Sequence, residues 1–205
     1  MLEVVEDQQA SAPTERLEDL AGSFDADSRL RVVRHRPAPL EEALAVARHA
    51  DALGLSVSWY AGQEWLVARI DAPVELEAEI THRTPTVADL SRRTEGPDKL
   101  MIIAAADRLD RLRAVKEALG PGLLGQISNP TYLEITAAGV DKAAAVLHHA
   151  AARGHDASSL LVMGDGPNDL GMFAVAGLSV APANARPEVL AAADAVAPAN
   201  DEGAV

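Results

Sequence analysis

The chain has 205 residues, room for one large domain or two small ones, and at 48% hydrophobic it can bury a core. Eighteen Lys and Arg against 31 Asp and Glu leave a net charge of −13, a field that repels nucleic acid and anionic membrane surfaces. Cysteine is absent, which excludes disulfides, thiolate zinc sites and a cysteine nucleophile.

The opening "MLEVVEDQQASAPTER" lacks the basic and apolar blocks of a signal peptide. No apolar run reaches the ~18 residues of a membrane helix, so the expectation is a soluble, cytoplasmic protein. Residues 6–28 are polar, acidic and weakly periodic, so 1–28 read as a mobile, disordered lead-in with at most one short helix. "RLRVVRH" then alternates like a strand. "APLEEALAVARHADALG" carries apolar residues at helical spacing and stops at Gly54. "LSVSWY" and "EWLVARI" read as two strands of a hairpin through Ala61-Gly62-Gln63, and "PVELEAEIT" as a helix. "KLMIIAA" is a short apolar strand, "DRLDRLRAVKEALG" an amphipathic helix ending at Gly120, and "LLGQIS" and "TYLEIT" two further strands.

From Gly139 the pattern becomes a strict alternation. "VDKAAAVLHHAAARG" is a helix, "SLLVMGD" a buried strand, "NDLGMFAVAG" a helix and "LSVAPA" a strand. "RPEVLAAAD", with Pro187 in its first turn, is a helix and "AVAPAN" a final strand. Alternation of this kind predicts a parallel sheet with crossover helices. The chain therefore divides into a lead-in (1–28), a mixed α+β zone (29–133) and an α/β zone (134–205).

Chemistry concentrates in "GDGPND", Gly164 to Asp169. Open α/β sheets bind ligands at the carboxyl ends of their strands, and Asp165 sits at such an end with Asp169 four residues on. Two unit charges about 4 Å apart at an effective dielectric of ~20 repel by about 4 kcal/mol, and a cation removes that repulsion. Hard oxygen ligands with no nearby His or Cys point to Mg²⁺. An ordinary N-cap turn joining strand to helix has the same residue types and stays open as the alternative. A dinucleotide loop fits poorly, because Asp169 stands where its third glycine belongs and would repel a pyrophosphate.

Lys142 lies in the first turn of a helix, where the backbone dipole disfavours a cation. A bound anion would reverse that preference; a solvated lysine tethered by Asp141 is the plainer alternative. His148, His149 and His155 read as solvated residues, and Trp59, Tyr60 and Trp65 as core or the lining of a cleft.

Together, "YLEITAAGVDKAAAV", "VMGDGPNDLGMFAVAGLSVAPANARPEVLAAADAVAPANDEGAV", "YAGQEWLVARID" and "DKLMII" resemble the haloacid dehalogenase (HAD) superfamily, specifically its Cof-type phosphatases, over roughly residues 29–205. The resemblance implies a Rossmann-like core with a mixed α+β cap of the C2 type. It further implies Mg²⁺-dependent hydrolysis of a small phosphorylated metabolite resembling a sugar phosphate. Matched by motif, Asp165 is a Mg²⁺ ligand and Asp169 supports the metal directly or through water. Asn168 and Asn184 help to hold substrate or loop geometry. Lys142 neutralises the phosphate and the nucleophile, the charge compensation that the transition state needs.

The chain departs from that family at the nucleophile, the first Asp of an Asp-x-Asp-Gly-Thr motif after an N-terminal strand. "FDADS" offers Asp25 and Asp27 at the right mutual spacing, but "LEDLAGS" before it is no buried strand and Gly-Thr does not follow, so Asp25 is a poor nucleophile. The second motif, a strand ending in Ser or Thr, also has no counterpart. The resembled fold pairs its nucleophile strand beside "SLLVMGD". Without it that strand becomes an apolar edge, which predicts self-association or capture of a missing N-terminal segment. Three functions follow: a phosphatase that is inactive or incomplete as this chain, a non-catalytic HAD remnant that binds metal, phosphate or a protein partner, and a phosphoacceptor regulatory domain. The last places its lysine after its acidic pair, the reverse of Lys142 and Asp165.

Overall fold

The computed structural model describes residues 3–5 and 32–203, which form two compact units. The first runs to Gly125 and includes Pro130–Ala138; the second comprises Gln126–Asn129 and the chain from Gly139 onward. Asp25 and most of the lead-in lie outside the described residues.

In the first unit, β1 (Glu3–Val5) pairs antiparallel with β2 (Val32–Arg34). Helix α1 (Leu40–Ala52) buries Ala43, Val46 and Ala50, the stripe its spacing predicts, and the chain turns at Gly54 with φ +72°. Strands β3 (Val57–Ala61) and β4 (Glu64–Val67) form the expected hairpin, tightened to a two-residue loop at Gly62-Gln63 because Ala61 pairs with Glu64. Helix α2 (Ala72–Thr81) starts where the Asp71 carboxylate accepts from the Val74 amide, 3.2 Å away. The chain then adds β5 (Thr86–Val87), β6 (Lys99–Ile103), α3 (Leu109–Glu117), β7 (Leu123–Asn129) and β8 (Tyr132–Ala137).

The sheet order is β5-β4-β3-β6-β8-β7, with β6 antiparallel to both β3 and β8. Side chains alternate across it. Trp59, Leu100, Ile102, Leu133 and Ile135, all fully buried, share one face by register, and α1 and α3 pack together against β3 and β8. The other face carries Tyr60, Trp65 and Lys99, aligned across three strands. There α2 sends Val74 and Ala78 onto Trp65, Val67 and Tyr60.

The second unit adds α4 (Lys142–Ala152), β9 (Leu161–Met163), α5 (Leu170–Phe173), β10 (Leu178–Pro182), α6 (Pro187–Ala192) and β11 (Ala195–Ala197). Its sheet is parallel throughout, in the order β11-β10-β9. The core is small: Val162, Phe173, Ala181, Ala185 and Val189, with Val146 and Leu170 packed against them. A reciprocal lock closes one side, where the Asp194 carboxylate accepts from the Ser179 amide (2.9 Å) and hydroxyl (2.7 Å). The hydroxyl bond first, then the amide, hold the Asp194 carboxyl below its ordinary pKa.

Two sequence expectations need correction. The strand before Gly164 is not buried throughout: Leu161 is 57% exposed, and among the described residues β9 pairs only with β10. The helix expected across "NDLGMFAVAG" shrinks to a 3-10 turn (Pro167–Asp169) followed by four-residue α5, and the chain leaves the helix before Gly177, whose amide donates to the Ala157 and Leu160 carbonyls (both 3.1 Å) instead of continuing the helical ladder. An open strand edge of apolar residues exchanges and associates readily. Amide exchange at Leu161–Met163 is expected to be much faster than at Leu100–Ile103, and light scattering to show concentration-dependent association. A monodisperse monomer with equal protection at both strands would overturn this expectation.

Candidate active site

The second unit brings Lys142, Asp165, Asn168 and Asp169 to the carboxyl end of β9. Asp169 is the organising group, only 3% exposed. One of its oxygens, Oδ2, accepts from the amides of Asp165 (3.0 Å) and Gly166 (3.1 Å), and the other, Oδ1, pairs with the Lys142 ammonium. Gly164 is required by close approach: a Cβ there would lie 2.4 Å from Asp169 Cβ and 2.7 Å from its Cγ. The glycine and the buried acid are one device, a turn folded around a carboxylate.

Lys142 and two amides meet the Asp169 charge. Lys142 sits at the start of α4, whose N-cap Asp141 accepts from the Ala144 amide at 2.7 Å, so the helix is capped independently of the lysine. The lysine is tethered by Asp169, 27 residues downstream, not by Asp141. About a third of its side chain stays exposed beside the turn.

Asp165 is exposed, and among the described residues no side-chain bond engages its carboxylate. Its backbone carbonyl accepts from the Arg186 amide at 3.2 Å, which ties the turn to the start of α6. The side-chain oxygen of Asn184 accepts from the Asn200 amide at 3.0 Å, so this residue shapes the loop after β11. Asn168 is half-buried within the turn. Sequence reasoning missed Arg186, which no motif marked.

Among the described residues, no group of three His, Cys, Asp or Glu side chains is arranged to hold a metal. Mg²⁺ does not need such a cage. It keeps several waters and usually binds one or two carboxylates together with substrate phosphate. The exposed Asp165 carboxylate fits a sparse site of this type.

A family model described as haloacid dehalogenase-like hydrolase matches residues 19–205. Over 78 residues, 38% of this chain and 31% of the relative, the chain is 38% identical to the 5-amino-6-(5-phospho-D-ribitylamino)uracil phosphatase YcsE of Bacillus subtilis (strain 168). Among solved structures it resembles a haloacid dehalogenase-like hydrolase from Bacteroides thetaiotaomicron, at 28% identity and TM-score 0.69, over 82% of this chain and 65% of that one. TM0651 from Thermotoga maritima matches at 28% identity and TM-score 0.70, over 84% and 66%. The HAD subclass IIB sugar phosphatase BT4131 shares the fold at TM-score 0.77 and 20% identity, over 85% and 67%. The chain thus spans about a third of the curated relative and just under two thirds of the first two solved structures.

Proposed function

This chain belongs to the haloacid dehalogenase-like hydrolases, of the Cof type, and from that premise we propose that its second unit is the metal- and phosphate-binding half of a phosphate-monoester hydrolase. The overall reaction adds water across a P–O bond and releases an alcohol and inorganic phosphate. The observation that carries the proposal is the Asp169 carboxylate, which fixes Lys142 and the Asp165–Gly166 amides at one strand end.

In this proposal Lys142 places its ammonium against a phosphoryl oxygen while Asp169 holds its position. A positive group fixed before reaction needs no reorganisation as negative charge develops, which is how such groups lower a barrier. Asp165 is the residue that would hold Mg²⁺, with Asp169 supporting it through the geometry of the turn. When bound, Mg²⁺ would neutralise phosphoryl charge and help to orient the ester. Asn168 and Asn184 keep the loops beside the substrate in register. The substrate class is a small phosphorylated metabolite with a sugar-like alcohol portion, a proposal supported by the phosphatase names of the relatives.

Phosphate or vanadate, added with Mg²⁺, should raise the thermal midpoint of the chain. A ligand at a hundred times its Kd stabilises by about 2.7 kcal/mol. In Lys142→Ala most of that ligand-induced rise should vanish, whatever the baseline stability. An undiminished rise would return Lys142 to the role of an ordinary surface residue.

A further inference from the structure

The second unit is acidic, and its few cations are unevenly placed. It holds three Lys and Arg (Lys142, Arg153 and Arg186) against eight Asp and Glu. Two of those three cations adjoin the acidic turn. Lys142 opens α4, Arg186 immediately precedes α6, and both helices pack against Pro167–Asp169. We infer that Arg186 is a specificity-determining residue: it binds a second anionic group, phosphoryl or carboxylate, on the small molecule whose phosphate lies at Lys142.

Arg186 is anchored through its main chain. Its amide donates to the Asp165 carbonyl at 3.2 Å, and its own carbonyl accepts from the amides of Val189 (2.9 Å) and Leu190 (3.0 Å). Pro187 follows and holds Arg186 in extended backbone, φ −63° and ψ 147°. The main chain is thereby fixed beside the turn, and the half-buried side chain extends from it. The guanidinium makes one hydrogen bond among the described residues: Nη2 donates to the side-chain oxygen of Asn129, in the same unit, at 3.5 Å. That length is the outer limit for such a bond, and the acceptor is neutral. No carboxylate among the described residues pairs with this arginine, in a unit where acids outnumber bases.

The three cations differ in what holds them. Lys142 is committed to Asp169. Arg153 lies against His149 at the far end of α4. Arg186 stands beside the turn with a planar fork of five donors, which matches two oxygens of a phosphoryl or carboxylate group; a neutral amide oxygen uses one donor. An anion replaces that long neutral bond with a charge-assisted pair, so Asn129 serves as the resting partner of the guanidinium. A lone phosphate is already met by Lys142, so a separate cation beside it suits a ligand that carries a second charge. The net negative field of the unit repels such a ligand, and a local pair of cations is what admits it. The inference deepens the proposed function by naming the substrate class, a phosphate ester with a second acidic group close by. It rests on that reading for the phosphate at Lys142.

The test reads binding, not turnover. Pyrophosphate is compared with inorganic phosphate, and phosphoglycolate with glycerol phosphate, by thermal unfolding of the intact chain in saturating Mg²⁺. In at least one pair, the ligand with the second anionic group should give the same rise in midpoint at about a tenth of the concentration or less, as one charge-assisted bond implies. Which pair shows the preference tells a phosphoryl from a carboxylate group. Arg186→Ala should abolish the preference, and Arg186→Lys, which keeps the charge but loses the fork, should retain part of it. Arg153→Ala, the same loss of charge elsewhere in the unit, should leave it intact, and so should Asn129→Ala, which removes only the resting partner. A preference that survives Arg186→Ala, or falls equally in Arg153→Ala, would overturn the inference. An equal fall in Asn129→Ala would also overturn it, by reducing the arginine to a structural tie. A rise with inorganic phosphate that vanishes in Lys142→Ala, with no preference in either pair, would defeat this inference alone; no rise with any ligand would defeat the phosphate site with it.

Discussion

Asp169→Ala should destabilise the second unit by about 2–4 kcal/mol and leave the first unit's unfolding unchanged. The carboxylate is nearly completely buried and serves three donors: the Asp165 and Gly166 amides and the Lys142 ammonium. Removing it leaves two amides without their acceptor, each costing about 1–3 kcal/mol where water cannot replace the bond. Lys142 is partly exposed and recovers hydration, so its share is small. Against a core of five buried side chains, four of them Ala or Val, a loss of that size is a large fraction of the total. Asp169→Asn keeps an acceptor for the amides and should fall between. Urea unfolding followed by unit-specific amide signals would resolve the two transitions. A wild-type midpoint for Asp169→Ala would mean that the turn does not depend on the carboxylate.

The second large effect concerns turnover. On the proposed assignment, an aryl phosphate with Mg²⁺ should remain essentially uncleaved by this chain, and Asp25→Asn should change nothing. Covalent phosphoryl transfer in this family type uses a carboxylate nucleophile. In the second unit Asp169 is committed to Lys142 and the turn, and Asp165 is the proposed metal ligand, so neither is left to attack phosphorus. Vigorous Mg²⁺-dependent turnover that disappears in Asp25→Asn would make "FDADS" the nucleophile motif and restore a complete active site to this chain.

Local signals carried much of the fold into view before any coordinates. The α1 stripe, the hairpin at Gly62, the Asp141 cap of α4 and Pro187 at the start of α6 each act within a few residues, where propensity and capping decide the outcome. The two-residue β5 was not legible, because it exists only by pairing in parallel with β4. Neither was the exposure of Leu161, since an apolar run in "SLLVMGD" reads the same at a sheet edge as in its middle. The site shows the same division. The "GDGPND" turn stood out as chemistry, but the partnership of Asp169 with Lys142 spans 27 residues. Contacts at such separations are set by packing of whole elements, and no periodicity announces them.

The role of the acidic turn is tested most directly by titrating Mg²⁺ into ¹⁵N-labelled protein and following the amides of Gly164, Asp165, Gly166 and Lys142. Saturable shifts confined to these residues in the wild-type chain, and lost in Asp165→Asn, are the predicted result. Equal binding by both proteins, or shifts spread over the acidic surface in both, would contradict the assignment of this turn as a metal site.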